Sequence, residues 1–478
     1  MKNILIYGLT ALAIGCVSCN DFLTEEPVVK LKTETMLSNY DGLRKATQGA
    51  YTYLYDGTWY GSEFVLSCEL RSGNAKNPTN TNFTSGRLTK EYSWNYVPSS
   101  TSNLWNYAYY TIAAANNVLN NADGKESTDV TTQDLNDLKA ECLFLRALSY
   151  FDLVRTYSQP YTSDPNSLGV PLVFVTENGL PARNTVKEVY DQVEKDLLNA
   201  ETLIASGRYN RSEITDSFAM ASKPAIQALL SRVYLYMGEW QKSADYATKV
   251  INDYHFTLYT KEEFTKFWGR EVAEDGKEVI FEVYGSLNNE YNEYWEEISW
   301  MTNPDGYADA ASSADLRDLY EPGDVRGTLF KNHENAKDHY WTTKYPGKNN
   351  NRPTANNIIV LRLAEMYLNR AEAIVRGATV AGVTAASDLL QITSNRGAST
   401  VSATLENILL ERRKELAFEG HLIYDMARTG TALHRVDYQG SATAKDIPFP
   451  DYRWALPIPK REMDANPNMV QNLSLIHI

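Results

Sequence analysis

The segment Ala225 to Ile251, AIQALLSRVYLYMGEWQKSADYATKVI, constrains the fold more than any other. Two helical patterns meet there at Gly238, where a glycine can take the backbone angles of a tight inter-helix turn. Small residues then recur at Ser243, Ala244 and Ala247, so the second helix can lie close against the first. This is the clearest repeat signal in the chain.

The hairpin resembles a tetratricopeptide repeat, with the repeat's first-helix aromatic on Tyr234, its turn glycine on Gly238 and its following aromatic on Trp240. Other stretches carry the same helical signal. From Asp134 to Val154 the apolar residues Leu135, Leu138, Leu143, Ala147, Phe151 and Val154 form an amphipathic stripe, and another helix is predicted from about Val186 to Ile204. Pro160 and Pro171 punctuate the loop between them. A helix is predicted over Ile358 to Arg376, ended by Gly377, and Thr404 caps a further one from Leu405 to Glu419, closed by Gly420. Between about Tyr259 and Asn357 the pattern breaks down. EVIFEVYG reads as a strand there, and the remainder is rich in Asn, Gly, Asp and aromatics. Long irregular stretches of this kind are commonly functional.

The net charge of -14 disfavours a nucleic-acid partner and anionic ligands. It leaves neutral ligands open, and 32 Tyr and 9 Trp supply flat side chains that cover an apolar ring face while their polar atoms hydrogen-bond. Lys2 is followed by an apolar run from Ile4 to Ile14, too short for a bilayer core of roughly 30 Å but suited to a signal peptide. Small residues precede both Cys16 and Cys19, where a lipoprotein signal would be cleaved, and NDFLTEEPVVK follows as a polar tether. Cys68 and Cys142 are expected as buried thiols.

No GxSxG, HExxH, Walker or CxxC signature occurs. Neither a cofactor nor a metal is implied. His333 and His339 are expected in an exposed loop, and GREVAEDGKE in a solvated turn. ERRKELAFEGH, from Glu411 to His421, reads as a helix with internal ion pairs and a solvated surface.

Nearly the whole chain resembles the SusD/RagB nutrient-binding lipoproteins. The resemblance runs through SCNDFLTEEP, NLWNYAYYTIAAANNVLNNA, ECLFLRALSYFDLVRTYSQPY with GVPLV, and TVKEVYDQVEKDLLNAE. It continues past the Ala225 repeat through EVIFEVYG, VLRLAEMYLNRAEAI, ERRKELAFEGHLIYDMARTG and WALPIPKREMDANPNMVQN. Leu422 stands where many members carry an arginine after the EGH histidine. The resemblance implies a mainly α scaffold with tetratricopeptide-like units and a loop-rich, minor-β ligand-binding portion. It also implies a lipid anchor in the outer membrane, a glycan ligand, and a SusC-like TonB-dependent transporter as partner. A peptide ligand, as in the RagB branch, is the nearest alternative; a lipid-anchored hydrolase and a purely structural repeat protein are remoter ones. The corresponding organisation is a signal peptide over 1–18, a tether over 19–30 with the lipid on Cys19, an N-terminal helical region over 31–256 and a C-terminal region over 257–472. The final LSLIHI, 473–478, matches the translation of a sequencing-library adapter and is expected to be foreign.

No family motif marks the ligand site, so it has to be sought in the irregular regions. Sugars need an aromatic platform with amide or carboxylate hydrogen bonds at its rim. The region from Trp59 to Tyr96 offers Trp59, Tyr60, Asn74, Asn77, Asn82 and Trp94; that from Trp268 to Tyr345 offers Tyr291, Tyr294, Trp295, Trp300 and Trp341. Spacings of three and four place Tyr291, Tyr294 and Trp295 on one side of a helical turn, and Trp295 and Trp300 are the foremost candidates.

Overall fold

The computed structural model describes residues 33–472 apart from 79–83, 101–103, 178, 206–216, 270–276, 286–295 and 348–354. The leader with Cys16 and Cys19, most of GREVAEDGKE and the final LSLIHI therefore lie outside the described residues. No described helix is long and apolar enough to cross a membrane.

Helices pack in a nearly sequential series. Tyr40–Tyr53 lies on Leu104–Asn121, which lies on Thr132–Tyr157, followed by Val186–Leu203, Lys223–Met237 and Trp240–Asp253. Leu363–Val375 continues the stack and packs on Ala385–Arg396 and Leu405–Glu415. Local chemistry sets the ends. Thr131 and Thr185 close reciprocal capping boxes with Asp134 and Glu188, satisfying amide groups that a helix start leaves bare. Gly238 takes φ +79°, and its amide returns to Leu235 and Tyr234, as the hairpin reading requires. The two helices it joins approach closely because Ser231 and Ser243 exchange hydroxyl-to-carbonyl hydrogen bonds of 3.0 and 2.9 Å.

Thr132–Tyr157, 26 residues long, is buried on nearly every face rather than on one stripe, which is why its polar residues come in satisfied pairs. Arg146 meets Asp196 at 2.8 Å. Asp152 receives the Trp59 Nε1–H at 2.9 Å, the Tyr60 hydroxyl at 2.8 Å and Arg155 at 2.6 Å. One apolar core runs from Ala50 to Met469, so the regions before and after residue 256 share it. Cys68 and Cys142 are free, buried thiols, as expected.

Three further readings need correction. Ile358–Arg362 is a strand, antiparallel to Val279–Val283, and the helix begins only at Leu363; β-branched Ile358, Ile359 and Val360 find a partner strand that helical spacing cannot reveal. His333 and His339 are half-buried on the paired strands Phe330–His333 and Ala336–Thr342. Among the described residues no group of three or more His, Cys, Asp or Glu could hold a metal ion. The ERRKE run is not solvated: Glu411, Arg412, Lys414 and Glu415 are buried, and the helix ends at Glu415. Glu415 is met by Arg362 at 2.7 Å, Arg396 at 2.8 Å and Arg326 at 2.9 Å. Arg362 and Arg396 also share Glu278, at 2.7 and 3.0 Å.

Removing one partner of a buried ion cluster strands the others in low dielectric. Glu415→Ala should therefore cost about 3–5 kcal/mol in urea unfolding, while Lys45→Ala, in an exposed pair, should change stability by less than about 0.5 kcal/mol. A second expectation concerns acid. Burial pushes the Glu372 carboxyl up, but the charge and hydrogen bonds of Arg428 outweigh it and bring the pKa from 4.5 to about 2. The folded value lies below the unfolded one, so this contribution is complete above pH 4.5 and is lost as pH falls toward 2. The stability gap between the parent and Glu372→Gln, on the order of 3 kcal/mol at pH 7, should narrow across that window in urea titrations; a pH-independent gap would contradict the assignment.

Candidate functional site

The two irregular segments singled out in the sequence meet. A four-stranded antiparallel sheet in the order Ala75–Lys76, Ala311–Ser312, Ala336–Thr342, Phe330–His333 joins them. Beside it the buried carboxylate of Asp309 accepts from Thr84 Oγ1 at 2.6 Å and from the amides of Ser85 and Gly86 at 2.9 and 3.1 Å, with the Ser85 hydroxyl as a further donor. A charged, hydrogen-bonded acceptor of this kind fixes a loop more firmly than neutral contacts do. Arg87, just beyond that loop, is thereby set over the ring of Tyr307, 3.9 Å from its centroid, and pairs with Glu296 at 3.0 Å.

Tyr307 is presented by the turn Asn303-Pro304-Asp305-Gly306, whose residue types favour tight reversal. Asn303 Oδ1 accepts from the Asp305 amide at 2.9 Å, and the Gly306 and Tyr307 amides return to the carbonyls of Asn303 and Trp300, both at 2.9 Å. Gly306 is required there, because a Cβ would lie 2.4 Å from the Trp300 carbonyl oxygen and 2.9 Å from the indole. The turn therefore sits directly on Trp300, whose ring meets Tyr307 edge-on at 6.2 Å. Trp300 and Tyr307 are both half-buried, Asp305 is exposed, and His333 lies 3.6 Å from it. The result is a partly open aromatic pair bordered by an arginine, two carboxylates and an imidazole.

Of the residues read from the sequence, Trp300 lies in this cluster. Asn77 and Trp341 lie one layer beneath it and hold its backbone: Asn77 Nδ2 donates to the Arg87 carbonyl at 3.0 Å, and Trp341 Nε1 donates to the Ala308 carbonyl at 3.0 Å. Trp59, Tyr60, Asn74 and Trp94 do not face it. They are buried, with exposures of 0, 4, 1 and 4%, and their polar groups are already engaged. Trp59 and Tyr60 bind Asp152; Asn74 donates to Glu69 at 2.8 Å and accepts from Arg413 at 2.8 Å; Trp94 donates to the Arg71 carbonyl at 3.0 Å and meets Trp454 edge-on. A sugar could reach those rings only by unpacking the core, so their assignment as ligand contacts is corrected to a structural one. The Trp59 turn still serves the site indirectly, since the Gly61 carbonyl accepts the Ile298 amide at 2.8 Å and so anchors the short helix that carries Trp300. Asn82, Tyr291, Tyr294 and Trp295 lie outside the described residues. Arg87, Glu296, Asp305 and Tyr307 went unnoticed in the sequence, although the NPDGY turn marks Tyr307.

Residues 21–235 match a family model described as starch-binding and associating with the outer membrane, and residues 328–474 match the model of the SusD family. A solved SusD superfamily protein from Bacteroides thetaiotaomicron is 33% identical, covering 91% of this chain and 99% of its own, with a TM-score of 0.81. A SusD-like protein of Formosa agariphila is 26% identical over 96% of this chain and 97% of its own. The surface glycan-binding protein A of Bacteroides thetaiotaomicron, solved in complex with laminarihexaose, shares the fold with a TM-score of 0.72 at 18% identity, covering 91% of this chain and 99% of its own. Matched by two models over well over half its length and by a solved relative over nine-tenths of it, this chain belongs to the SusD/RagB family of outer-membrane-associated, glycan-binding proteins.

Proposed function

We propose that this protein captures a neutral oligo- or polysaccharide on the face formed by Trp300, Tyr307 and Arg87 and delivers it to a SusC-like TonB-dependent transporter. A lipid on Cys19 holds it in the outer membrane, at the cell surface. One observation carries the ligand reading: two separate irregular segments are fastened together at Asp309, and what they present is an aromatic pair with paired charges at its rim. That combination suits a ligand with C–H faces and hydroxyl edges. Glu296 neutralises Arg87 at the rim, and the carboxylate that remains there, Asp305, is negative, which agrees with an acidic chain taking a ligand that is not anionic. Family membership and the laminarihexaose complex of a fold relative support the same class. Trp295, Tyr291, Tyr294 and Asn82 belong to the two segments that flank this face in the chain and stay in the proposal as further contacts.

The test begins with a glycan array and continues with calorimetry. Trp300→Ala and Tyr307→Ala should each weaken binding at least about thirtyfold, the loss expected when a central aromatic anchor is truncated, and Trp295→Ala should do the same. Trp94→Phe should lower the unfolding temperature while leaving affinity within about twofold, because its ring is core. Folded Trp300→Ala and Tyr307→Ala variants that bind like the parent would place the ligand elsewhere, and a peptide library that outcompetes every glycan would replace the ligand class. For the anchor, mass spectrometry of the native N-terminal peptide should find an acylated Cys19; an unmodified Cys19, or acylation at Cys16, would refute that assignment.

A further inference from the structure

A narrow cavity lies away from the ligand face, between the C-terminal end of helix Thr132–Tyr157 and helix Leu422–Thr429. Its wall includes Arg71, Arg155, Ser158, Tyr236, Tyr424 and Arg428, and contributes three guanidinium groups and no carboxylate. Two of those charges are compensated from behind. Arg155 pairs with Asp152 at 2.6 Å, and Arg428 with Glu372 and Asp425 at 2.6 and 2.8 Å. Arg71 differs. It is 2% exposed, its Nη2 donates only to the carbonyls of Arg453 and Trp454, at 3.4 and 3.0 Å, and it lies over the rings of Trp94 and Tyr96. Among the described residues no carboxylate stands within ion-pair distance of it.

Four buried polar atoms on this wall have no hydrogen-bond partner in the protein: Arg71 Nε, Arg155 Nη1, Ser158 Oγ and Tyr236 Oη. Guanidinium groups only donate, and the two hydroxyls can turn to donate as well, so all four atoms can serve as donors. The space admits the centre of a water-sized sphere over about 20 Å³, somewhat more than the roughly 10–15 Å³ a single water requires and too little for a polyatomic ligand. A water could meet all four, accepting from the guanidiniums and donating to the two hydroxyl oxygens, but it brings no charge. A monatomic anion accepts from whichever of these donors it reaches and brings the negative charge that Arg71, unlike Arg155 and Arg428, has from no paired carboxylate. Two carbonyls at the helix end beside it are already taken, that of Thr156 by the Leu456 amide and that of Tyr157 by Arg183 and Asn472.

We propose that this cavity is a halide site, filled by chloride, that fastens helix Glu63–Ser72 through Arg71 to helix Thr132–Tyr157 through Arg155 and Ser158, and to helix Lys223–Met237 through Tyr236. Two measurements test it on the purified protein. Crystals soaked in bromide should show an anomalous peak within hydrogen-bonding reach of Arg71 Nε and Arg155 Nη1. The unfolding temperature should rise saturably as chloride replaces gluconate at constant ionic strength. Tyr236→Phe, which removes one donor and little volume, should raise the half-saturating chloride concentration about tenfold; if it does not fold, Ser158→Ala gives the same readout. Density without an anomalous signal, or equal unfolding temperatures in chloride and gluconate, would show that the cavity holds water and overturn the proposal.

Discussion

Glu415 and the three arginines around it are the joint on which the rest of the structure hangs. The carboxylate sits at the end of helix Leu405–Glu415, with Arg362 reaching it from strand Ile358–Arg362, Arg396 from the end of helix Ala385–Arg396, and Arg326 from the irregular segment. Neighbouring groups keep the cluster balanced: Glu278 is shared by Arg362 and Arg396, Glu419 is met by Arg362 and Lys344, and Asp324 by Arg326. Desolvating so many charges is expensive, and a well-packed apolar joint could be as stable. What ions add is direction. Each guanidinium fork satisfies its carboxylates in few geometries, so the loop-rich stretch carrying Arg326 and Lys344 is oriented against the helical stack as well as attached to it.

That orientation reaches the proposed ligand face through successive layers. The helices and the ionic joint fix the strand pair around Ser312 and Tyr340; the sheet sets Asp309 and Trp341; these in turn hold the turns that present Arg87 and Tyr307. Loops positioned by a rigid body in this way can recognise a ligand without ordering themselves at the moment of binding, which lowers the entropic cost of capture.

How much of this was legible follows from the range of the interactions involved. Helix ends such as the Thr404 cap and the Gly238 turn were readable because each acts within a few residues of itself. Ile358–Arg362 was misread because its partner strand lies some eighty residues earlier, and no local pattern announces a pairing at that distance. The ERRKE helix was misread for the same reason. Charges at those spacings can serve water or Arg326, Arg362 and Arg396 equally well, and only the fold decides. Trp59, Tyr60 and Trp94 looked like ligand platforms because Asn- and Gly-rich sequence surrounds them; their true partners, Asp152 for the first two and Arg71 and Trp454 for the third, are brought in by tertiary packing. Composition pointed to two segments that the fold brings together, while the choice of residues within them depended on which rings the core had already taken.

Besides the Thr84 and Ser85 hydroxyls that Asp309 also receives, several supporting contacts beneath the face address backbone. Trp341 donates to the Ala308 carbonyl, Asn77 to the Arg87 carbonyl, and Asp309 accepts from the amides of Ser85 and Gly86. None of these depends on the side chain carried by the residue it holds. The turn bearing Tyr307 is likewise closed by its own amides and by the space that Gly306 leaves for Trp300. Side chains that project from the face are consequently free to vary in size, charge and hydrogen-bonding character while the loops keep their course. Such a division between a backbone-addressed support and an unconstrained outer layer lets one scaffold be refitted to different ligands by surface substitutions that leave the buried ionic joint untouched.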